Sequence, residues 1–219
     1  MIIIRPAETG VSNAIEKASE TIEKGGIIAY PTETFYGLGV KFDNSAALKK
    51  LYEIKRRSQD KALPLIIGEK SVLDRIASSV TGSAEKLANK FWPGPLTLLL
   101  PAKQDTSEFI TAKTGKVAVR IPGKSFALDL VQSLGFPITA TSANISGRPP
   151  ADNPDDVARF FGEVLDLLVD CGTTPGEKPS TIVDASEEQI RVVREGAITA
   201  EEVFAALEIS SAIVQGHQE

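Results

Sequence analysis

The sequence predicts an α/β fold built around a mixed sheet. Short apolar runs of strand length alternate along the chain with segments whose apolar residues recur every three or four positions. This alternation is typical of a sheet covered by helices. Several predicted strands are also joined by connections too short for a crossover helix, which favours antiparallel neighbours and therefore a mixed rather than a purely parallel sheet.

The helices are predicted from periodicity and from capping residues. The first begins near Val11 and ends at the pair Gly25-Gly26, where glycine readily adopts the left-handed capping conformation. Asn44 or Ser45 can cap the second. The predicted helices are residues 11–24, 45–54, 71–77, 83–90, 125–134, 154–162 and 199–207.

The strands are predicted from short apolar runs bounded by proline, glycine or polar residues. The amino-terminal isoleucines form the first, and Pro64 places the third at a sheet edge or at the start of its strand. The remaining predicted strands are residues 27–30, 63–67, 96–100, 117–122, 137–141, 165–170, 181–184 and 190–194.

The composition limits the chemistry. Among 219 residues there is one cysteine, Cys171, and one histidine, His217. An intrachain disulfide is therefore impossible, and histidine general-base catalysis, Ser-His-Asp hydrolysis and His/Cys zinc sites are almost excluded. Neither a secretory signal nor a membrane span is recognisable, so the expected location is the cytoplasm. The net charge of −5 argues against non-specific binding of nucleic acid.

The chain shows no internal repeat and no low-complexity linker. We therefore expect a single catalytic domain over residues 1–207. Periodicity is lost over residues 208–219, which are expected to form a flexible tail.

Three polar clusters follow predicted strands, where open α/β sheets bind ligands. The first, residues 31–39, has two threonines and two glycines that would let a small polar ligand approach, although spacing alone favours a turn capped by its threonines. The second combines Lys55, Arg56 and Arg57 with Lys61. These cations suit either a helix C-terminus or a phosphate, and Lys55 and Arg57 can converge only where the helix unwinds.

The third cluster, residues 139–150, is rich in small hydroxyl residues that could surround a phosphate or form an Asx or Ser turn. It contains neither a P-loop nor a dinucleotide fingerprint. Two further arginines, Arg120 and Arg194, lie in apolar strands and need a partner there. That partner is either an acidic residue such as Glu33 or Asp184, or an anionic group of a ligand.

Taken in order, these segments resemble the YrdC-like family of threonylcarbamoyl-AMP synthases. The resemblance covers about residues 15–198 and rests on seven segments: Tyr-Pro-Thr-Glu-Thr-Phe-Tyr-Gly-Leu-Gly, the Lys-x-Arg pair, Phe-Trp-Pro-Gly-Pro-Leu-Thr, Val-Ala-Val-Arg-Ile-Pro, Thr-Ser-Ala-Asn-Ile-Ser-Gly, Pro-Ser-Thr-Ile-Val-Asp and Val-Arg-Glu-Gly. It implies a twisted sheet with helices around a large open cleft. It also implies a nucleotidyltransferase that converts ATP, L-threonine and bicarbonate or CO₂ to threonylcarbamoyl-adenylate and pyrophosphate, for threonylcarbamoyladenosine modification of tRNA.

The resemblance also implies roles for individual residues. Four match a catalytic tetrad, and other matched positions contact ATP or hold threonine. The implied sets are Lys55, Arg57, Ser142 and Asn144 for catalysis, Arg57, Lys61, Lys116, Ser142 and Arg194 for ATP, and Thr34, Arg120, Ala140 and Ser180 for threonine. Mg²⁺ is expected to enter with ATP, and no protein ligand set for a metal is readable.

Some positions depart from the pattern of the family, and two other functions compete with that of the synthase. Ser58 and Ala62 stand where the family commonly has proline, and the chain resembles the short form of the family, without the additional C-terminal domain. A downstream threonylcarbamoyl transferase is an implied partner, and weak RNA contact in the cleft is a further one.

The rival functions are a carbamoyl-adenylate former that uses carbamoyl phosphate, and a non-catalytic RNA-binding paralogue. Retention of all four tetrad residues favours the synthase.

Overall fold

The computed structural model describes residues 1–208 and confirms the predicted α/β class. Apart from Glu208, the predicted tail lies outside the described residues, and the boundary of the domain at residue 207 stays a prediction. None of the helices within residues 1–208 combines the length and the apolar character that a membrane crossing requires.

The elements alternate along the chain much as the periodicity predicts. The strands are β1 (Ile2–Ile4), β2 (Ile28–Pro31), β3 (Tyr36–Gly39), β4 (Leu65–Ile66), β5 (Leu96–Pro101), β6 (Lys116–Arg120), β7 (Ile138–Thr139), β8 (Thr141–Ser142), β9 (Leu167–Val169), β10 (Thr181–Asp184) and β11 (Arg191–Arg194). The α-helices are α1 (Pro6–Thr9), α2 (Val11–Glu23), α3 (Ser45–Lys55), α4 (Gly82–Phe91), α5 (Glu108–Thr111), α6 (Phe126–Leu134), α7 (Pro154–Phe161) and α8 (Ala200–Ala206), and a 3-10 helix spans Lys70–Arg75.

The strands form two mixed sheets, where the sequence indicated one. The five-stranded sheet has the order β1-β9-β2-β3-β8, and the six-stranded sheet has the order β11-β10-β5-β6-β4-β7. Each contains both parallel and antiparallel pairs, as the short connections predict. Sequence patterns report burial and alternation but carry no information about which sheet a strand joins.

The predicted strand over residues 137–141 is divided between the two sheets. β7 pairs with β4 in the six-stranded sheet, and β8 pairs with β3 in the five-stranded sheet. Ala140 lies between them, and its amide donates to the Pro64 carbonyl at 2.8 Å. The chain therefore passes from one sheet to the other at Ala140, and both sheets contribute residues to the space beside it.

Three elements were missed at the sequence level: α1, α5 and β3. The two helices have four residues each, too few to show a helical period. The predicted turn over residues 31–39 is confirmed for residues 32–35, where the Thr32 hydroxyl accepts from the Thr34 amide at 3.1 Å, and it is wrong for Tyr36–Gly39, which form β3. Glycine is rare in strands, but a Cβ on Gly39 would lie 2.6 Å from a ring carbon of Tyr30, so the glycine makes room for that buried ring.

Buried apolar side chains fix the helices on the sheets. Ala14, Ala18 and Ile22 face inward from α2 and belong to the core that also contains β2 and α6 residues. Full burial of an aliphatic side chain such as Ile22 stabilises the fold by roughly 1.5–3 kcal/mol. The larger core includes Leu48 and Leu51 of α3. The packing of α3 fixes where its C-terminal end, and the cations there, lie.

Candidate functional site

A cavity of about 470 Å³ opens where the two sheets meet and is lined by residues of both. β3 and β8 contribute from the five-stranded sheet, and five strands contribute from the six-stranded sheet. Many of the residues singled out from the sequence meet here. Those lining the cavity are Arg57, Ser142, Arg194, Thr34, Arg120, Ala140 and Ser180.

Lys55 reaches this region from the C-terminal end of α3. Asn44 caps the start of the helix, with its side-chain oxygen accepting from the Ala47 amide at 3.0 Å, as predicted. Arg56 adopts a left-handed conformation with φ 48° and ends the helix. Lys55 and Arg57 therefore lie on either side of the residue at which the helix ends. The sequence predicts that the two side chains converge only with this geometry.

The Lys55 ammonium is buried among oxygens of the loop that follows β8. Nζ donates to the Ser142 carbonyl, to the Asn144 carbonyl at 2.8 Å and to Asn144 Oδ1 at 3.3 Å. Burial and the nearby positive charge of Arg57 lower the pKa of Lys55 to about 7. Lys55 is 1% exposed and is not among the residues that line the cavity.

Arg57 does line the cavity, and it also holds the loop that follows α3. Its Nε donates to the Lys61 carbonyl at 3.0 Å and its Nη2 to the Ala62 carbonyl at 2.6 Å. Tyr52 donates to the same Lys61 carbonyl at 2.5 Å. Burial is the largest influence on the pKa of Arg57 and lowers it. At physiological pH the guanidinium still carries its charge, so it can offer its remaining N–H groups to an anion.

The loop after β8 is held together by its own side chains. The Ser142 hydroxyl donates to Asn144 Oδ1 at 2.7 Å, and Asn144 Nδ2 donates to the Arg148 carbonyl. Asn144 therefore connects Lys55, Ser142 and Arg148. Of the four residues matched to the tetrad, Arg57 and Ser142 line the cavity, whereas Lys55 and Asn144 do not and contact Ser142 instead.

Two further arginines enter the cavity from the six-stranded sheet. Arg120, buried in β6, forms an ion pair with Glu33, one of the two acidic partners suggested by the sequence. Arg194 donates from Nη2 to the Ser180 carbonyl at 2.6 Å, and the Ser180 hydroxyl lies 3.0 Å from that of Thr97. Burial and then the charge of Arg120 lower the pKa of Arg194, as expected when two cations share one space.

The remaining two sequence candidates lie outside the cavity lining. The Lys61 side chain is exposed, and the contacts of this residue with Arg57 and Tyr52 are made by its backbone carbonyl. Lys116 begins β6 and pairs with Asp184 at 2.7 Å. It is on the face of β6 that also carries Ala118 and Arg120, because side chains alternate along a strand. A large anion extending along this sheet would approach it.

Sequence reasoning missed a second, smaller cavity beside the first. It has a volume of about 330 Å³ and shares Thr34 with the larger one. Its other lining residues are Glu33, Pro95, Pro175, Glu177, Lys178 and Ala197. The loop 175–178 carries no periodicity, and its one sequence signal, proline and glycine beside two charges, is common to surface loops.

The part of the chain that the structure describes offers no ready-made metal centre. Residues 1–208 contain no group of three or more His, Cys, Asp or Glu side chains that could hold a metal ion. Three arginines and the hydroxyls of Thr34, Ser142 and Ser180 surround the cavity instead. Guanidinium groups and hydroxyls of this kind recognise phosphates and carboxylates.

The fold and the cavity define a mixed α/β protein whose two sheets enclose a cavity with three arginines and several hydroxyls in its lining. The family model Sua5_yciO_yrdC, described as "Telomere recombination", matches residues 20–196, and the chain belongs to this family. The match spans β2, β3 and every arginine of the cavity.

Curated and solved relatives agree with this membership. The chain is 37% identical over 92% of its length to a "Threonylcarbamoyl-AMP synthase" of Pyrococcus abyssi, of which it spans 59%. It is 33% identical over 80% of its length to a protein of the same name from Vibrio parahaemolyticus, of which it spans 96%. The structure of P. abyssi Sua5 complexed with L-threonine superimposes with a TM-score of 0.88 at 35% identity, and the alignment covers 100% of this chain and 64% of that one.

Proposed function

We propose that this chain is a threonylcarbamoyl-AMP synthase that uses ATP, L-threonine and bicarbonate or CO₂, and that its product serves threonylcarbamoyladenosine modification of tRNA. The observation that carries the proposal is the convergence of Arg57, Arg120 and Arg194 with Ser142 and Thr34 on one cavity. The reaction needs a carboxylate and a polyphosphate held side by side, and this set of side chains can bind both. The names of the relatives support the choice of substrates.

Threonine is assigned to the side of the cavity formed by β6. Arg120 of β6 lines the cavity there, and Thr34, Ser180 and Ala140 line the same cavity. Within residues 1–208 the Arg120 guanidinium donates to Glu33 alone, through Nη1. Its other N–H groups remain for the threonine carboxylate. The amine adds to CO₂ with loss of a proton, or to bicarbonate with loss of water, and the resulting carbamate presents an oxygen toward the nucleotide.

The triphosphate is assigned to Arg57, Ser142 and Arg194. The carbamate oxygen attacks the α-phosphorus, a carbamoyl O–P bond forms, and the bond to the β-phosphate oxygen breaks to release pyrophosphate. Arg57 and Arg194 stabilise the charge on the phosphate oxygens, and positioning supplies much of the acceleration. No histidine is needed, because the leaving pyrophosphate is stabilised by cations rather than by protonation.

Mg²⁺ belongs to this proposal as part of the MgATP substrate. Phosphate oxygens are the usual ligands of Mg²⁺ in such reactions, with few ligands from the protein. Removal of Mg²⁺ with a chelator should therefore abolish turnover but leave threonine binding unchanged. The cytoplasm as the location, and a threonylcarbamoyl transferase as the partner that consumes the product, are further parts of the proposal.

Pyrophosphate release by the purified protein tests the proposal directly. With ATP, bicarbonate and threonine all present, release should be rapid, and omission of threonine should reduce it to background. Replacement of threonine and bicarbonate by carbamoyl phosphate should give no adenylate, which separates the synthase from the carbamoyl-phosphate rival. Threonine-independent release, or RNA binding without any turnover, would contradict the proposal.

A further inference from the structure

Lys55 matches a catalytic position by sequence, yet its surroundings differ from those of a ligand-binding residue. Its side chain is 1% exposed and it is absent from the lining of the cavity. Within hydrogen-bonding distance of Nζ are two carbonyl oxygens and one amide oxygen, all from Ser142 and Asn144. A protonated lysine has three N–H donors. These three oxygens therefore take all donors of the protonated side chain, and those of the neutral side chain, which has only two, so none is left for a substrate.

The backbone of Lys55 holds the same loop. Its carbonyl accepts from the Ser146 amide at 3.0 Å, so the loop 142–148 is attached to the end of α3 by both the main chain and the side chain of one residue. Asn144 Oδ1, one of the acceptors of Lys55, also accepts from the Ser142 hydroxyl at 2.7 Å. The orientation of that hydroxyl at the cavity wall thus depends on the position of Lys55.

Arg57 provides an internal contrast at the same helix end. It donates to backbone carbonyls of the loop 58–62, but it also lines the cavity. The two cations therefore organise two different loops, and only Arg57 reaches the ligand space as well.

We propose, on the basis of the function proposed above, that Lys55 is a positioning residue that fixes the Ser142–Asn144 loop and does not touch either substrate. Its loss should act through the Ser142 hydroxyl and Asn144. If Lys55 instead contacted phosphate as a catalytic residue, its contribution to kcat/KM would be independent of that of Ser142.

Hydrogen exchange tests the positioning role without any ligand. In Lys55→Met, amides of the loop 142–148 should exchange at least about tenfold faster than in the wild type, because the loop loses its anchor. Amides of the loop 58–62 should be unchanged, since Arg57 still holds them. Lys49→Met, an exposed position on the same helix, is the matched control and should alter neither loop. Unchanged exchange in the loop 142–148 would overturn the proposal.

A double-mutant cycle with Ser142→Ala supplies the functional readout. Lys55→Met should lower kcat/KM about 100-fold in the wild type, but no more than about fivefold in the Ser142→Ala background, because residues that act as one unit are strongly non-additive. If turnover is too slow to measure, the same cycle can be calculated from dissociation constants for ATP. These are measured on the wild type, the two single variants and the double variant. Equal factors in both backgrounds would show that Lys55 contacts the substrate itself.

The two measurements separate this inference from the proposed function. A wild-type protein that neither binds ATP nor releases pyrophosphate would contradict the function, yet the exchange of the loop 142–148 would still report on Lys55. Normal turnover with a multiplicative cycle would contradict the inference alone. Thermal unfolding of each variant identifies any general loss of structure, and in that case Lys55→Arg, which keeps the charge but cannot place three donors at one point, replaces Lys55→Met.

Discussion

Two pairs of cations near the cavity are held in different ways. At the end of α3, Lys55 and Arg57 donate to uncharged backbone carbonyls. On the six-stranded sheet, Arg120 and Lys116 are paired with the carboxylates of Glu33 and Asp184. A carbonyl leaves the charge of its partner uncompensated, whereas a carboxylate neutralises it until another anion competes. Lys55 and Arg57 should therefore shape the site, and Arg120 should exchange partners when a ligand carboxylate arrives. Arg194 also lies on the six-stranded sheet, but it donates to the Ser180 carbonyl and resembles the α3 cations in this respect.

The largest effect should come from Arg120, the buried cation that is assigned to the threonine carboxylate. Arg120→Ala should lower kcat/KM for threonine about 1000-fold, because truncation of one partner of a buried charge pair costs several kcal/mol of binding energy. Pyrophosphate release at varied threonine measures it. Arg5→Ala, which removes an exposed ion pair with Asp170, is the control. A loss below about threefold would place the threonine carboxylate elsewhere.

The ion pair of Arg120 with Glu33 can also be tested through the stability of the fold. Glu33→Ala should lower the free energy of unfolding by about 3 kcal/mol, because it leaves the guanidinium of Arg120 buried without a counter-ion. Urea unfolding measures the change. The double variant Glu33→Ala/Arg120→Ala should recover part of the loss, since it removes the uncompensated charge as well. A double variant as unstable as Glu33→Ala would show that the ion pair is not the cause.

The Lys116–Asp184 pair should matter less, because its lysine is far more accessible. The Lys116 side chain is 35% exposed, against 8% for Arg120. Asp184→Asn should lower the free energy of unfolding by no more than about 1 kcal/mol, and the effect should shrink at high salt. Unfolding at two salt concentrations measures both. A loss that equals that of Glu33→Ala would remove the distinction between a pair with a buried cation and a pair with an accessible one.

A last effect, measured as a slope against pH and not as a single loss, should be a pH dependence of stability from Lys55. Its pKa is lowered to about 7 in the folded protein, from an ordinary value of 10.5. Between these values the unfolded chain keeps a proton that the folded chain has released, so the free energy of unfolding rises with pH through this window. Lys55→Met should show a shallower rise than the wild type, and Lys49→Met should not. Identical slopes in all three proteins would mean that the pKa of Lys55 is not lowered.

Local patterns predicted the elements better than their arrangement. The cap at Asn44 and the end of α3 near Lys55 follow from residue types within a few positions, and both are confirmed. The division of the strands between two sheets does not follow from the sequence. It depends on contacts such as that of Ala140 with Pro64, which join distant parts of the chain.

The candidate site shows the same limit. Sequence reasoning selected Arg57, Arg120 and Ser142, and the structure brings them to one cavity. It could not distinguish a residue that lines a cavity from one that supports its wall. Lys55 and Arg57 look equivalent in a Lys-x-Arg pair, and only the structure shows that their side chains meet different neighbours.

The acceptors of Lys55 lie 87 and 89 positions further along the chain. During synthesis, α3 is complete well before its lysine can meet them. A fragment that stops short of Ser142 lacks these acceptors. It would have to leave the Lys55 ammonium in water and lose the packing around that side chain, or bury the ammonium without acceptors. The amino-terminal half of this protein should therefore fail to form even half of the site, and partial chains should be poor starting points for reconstructing it.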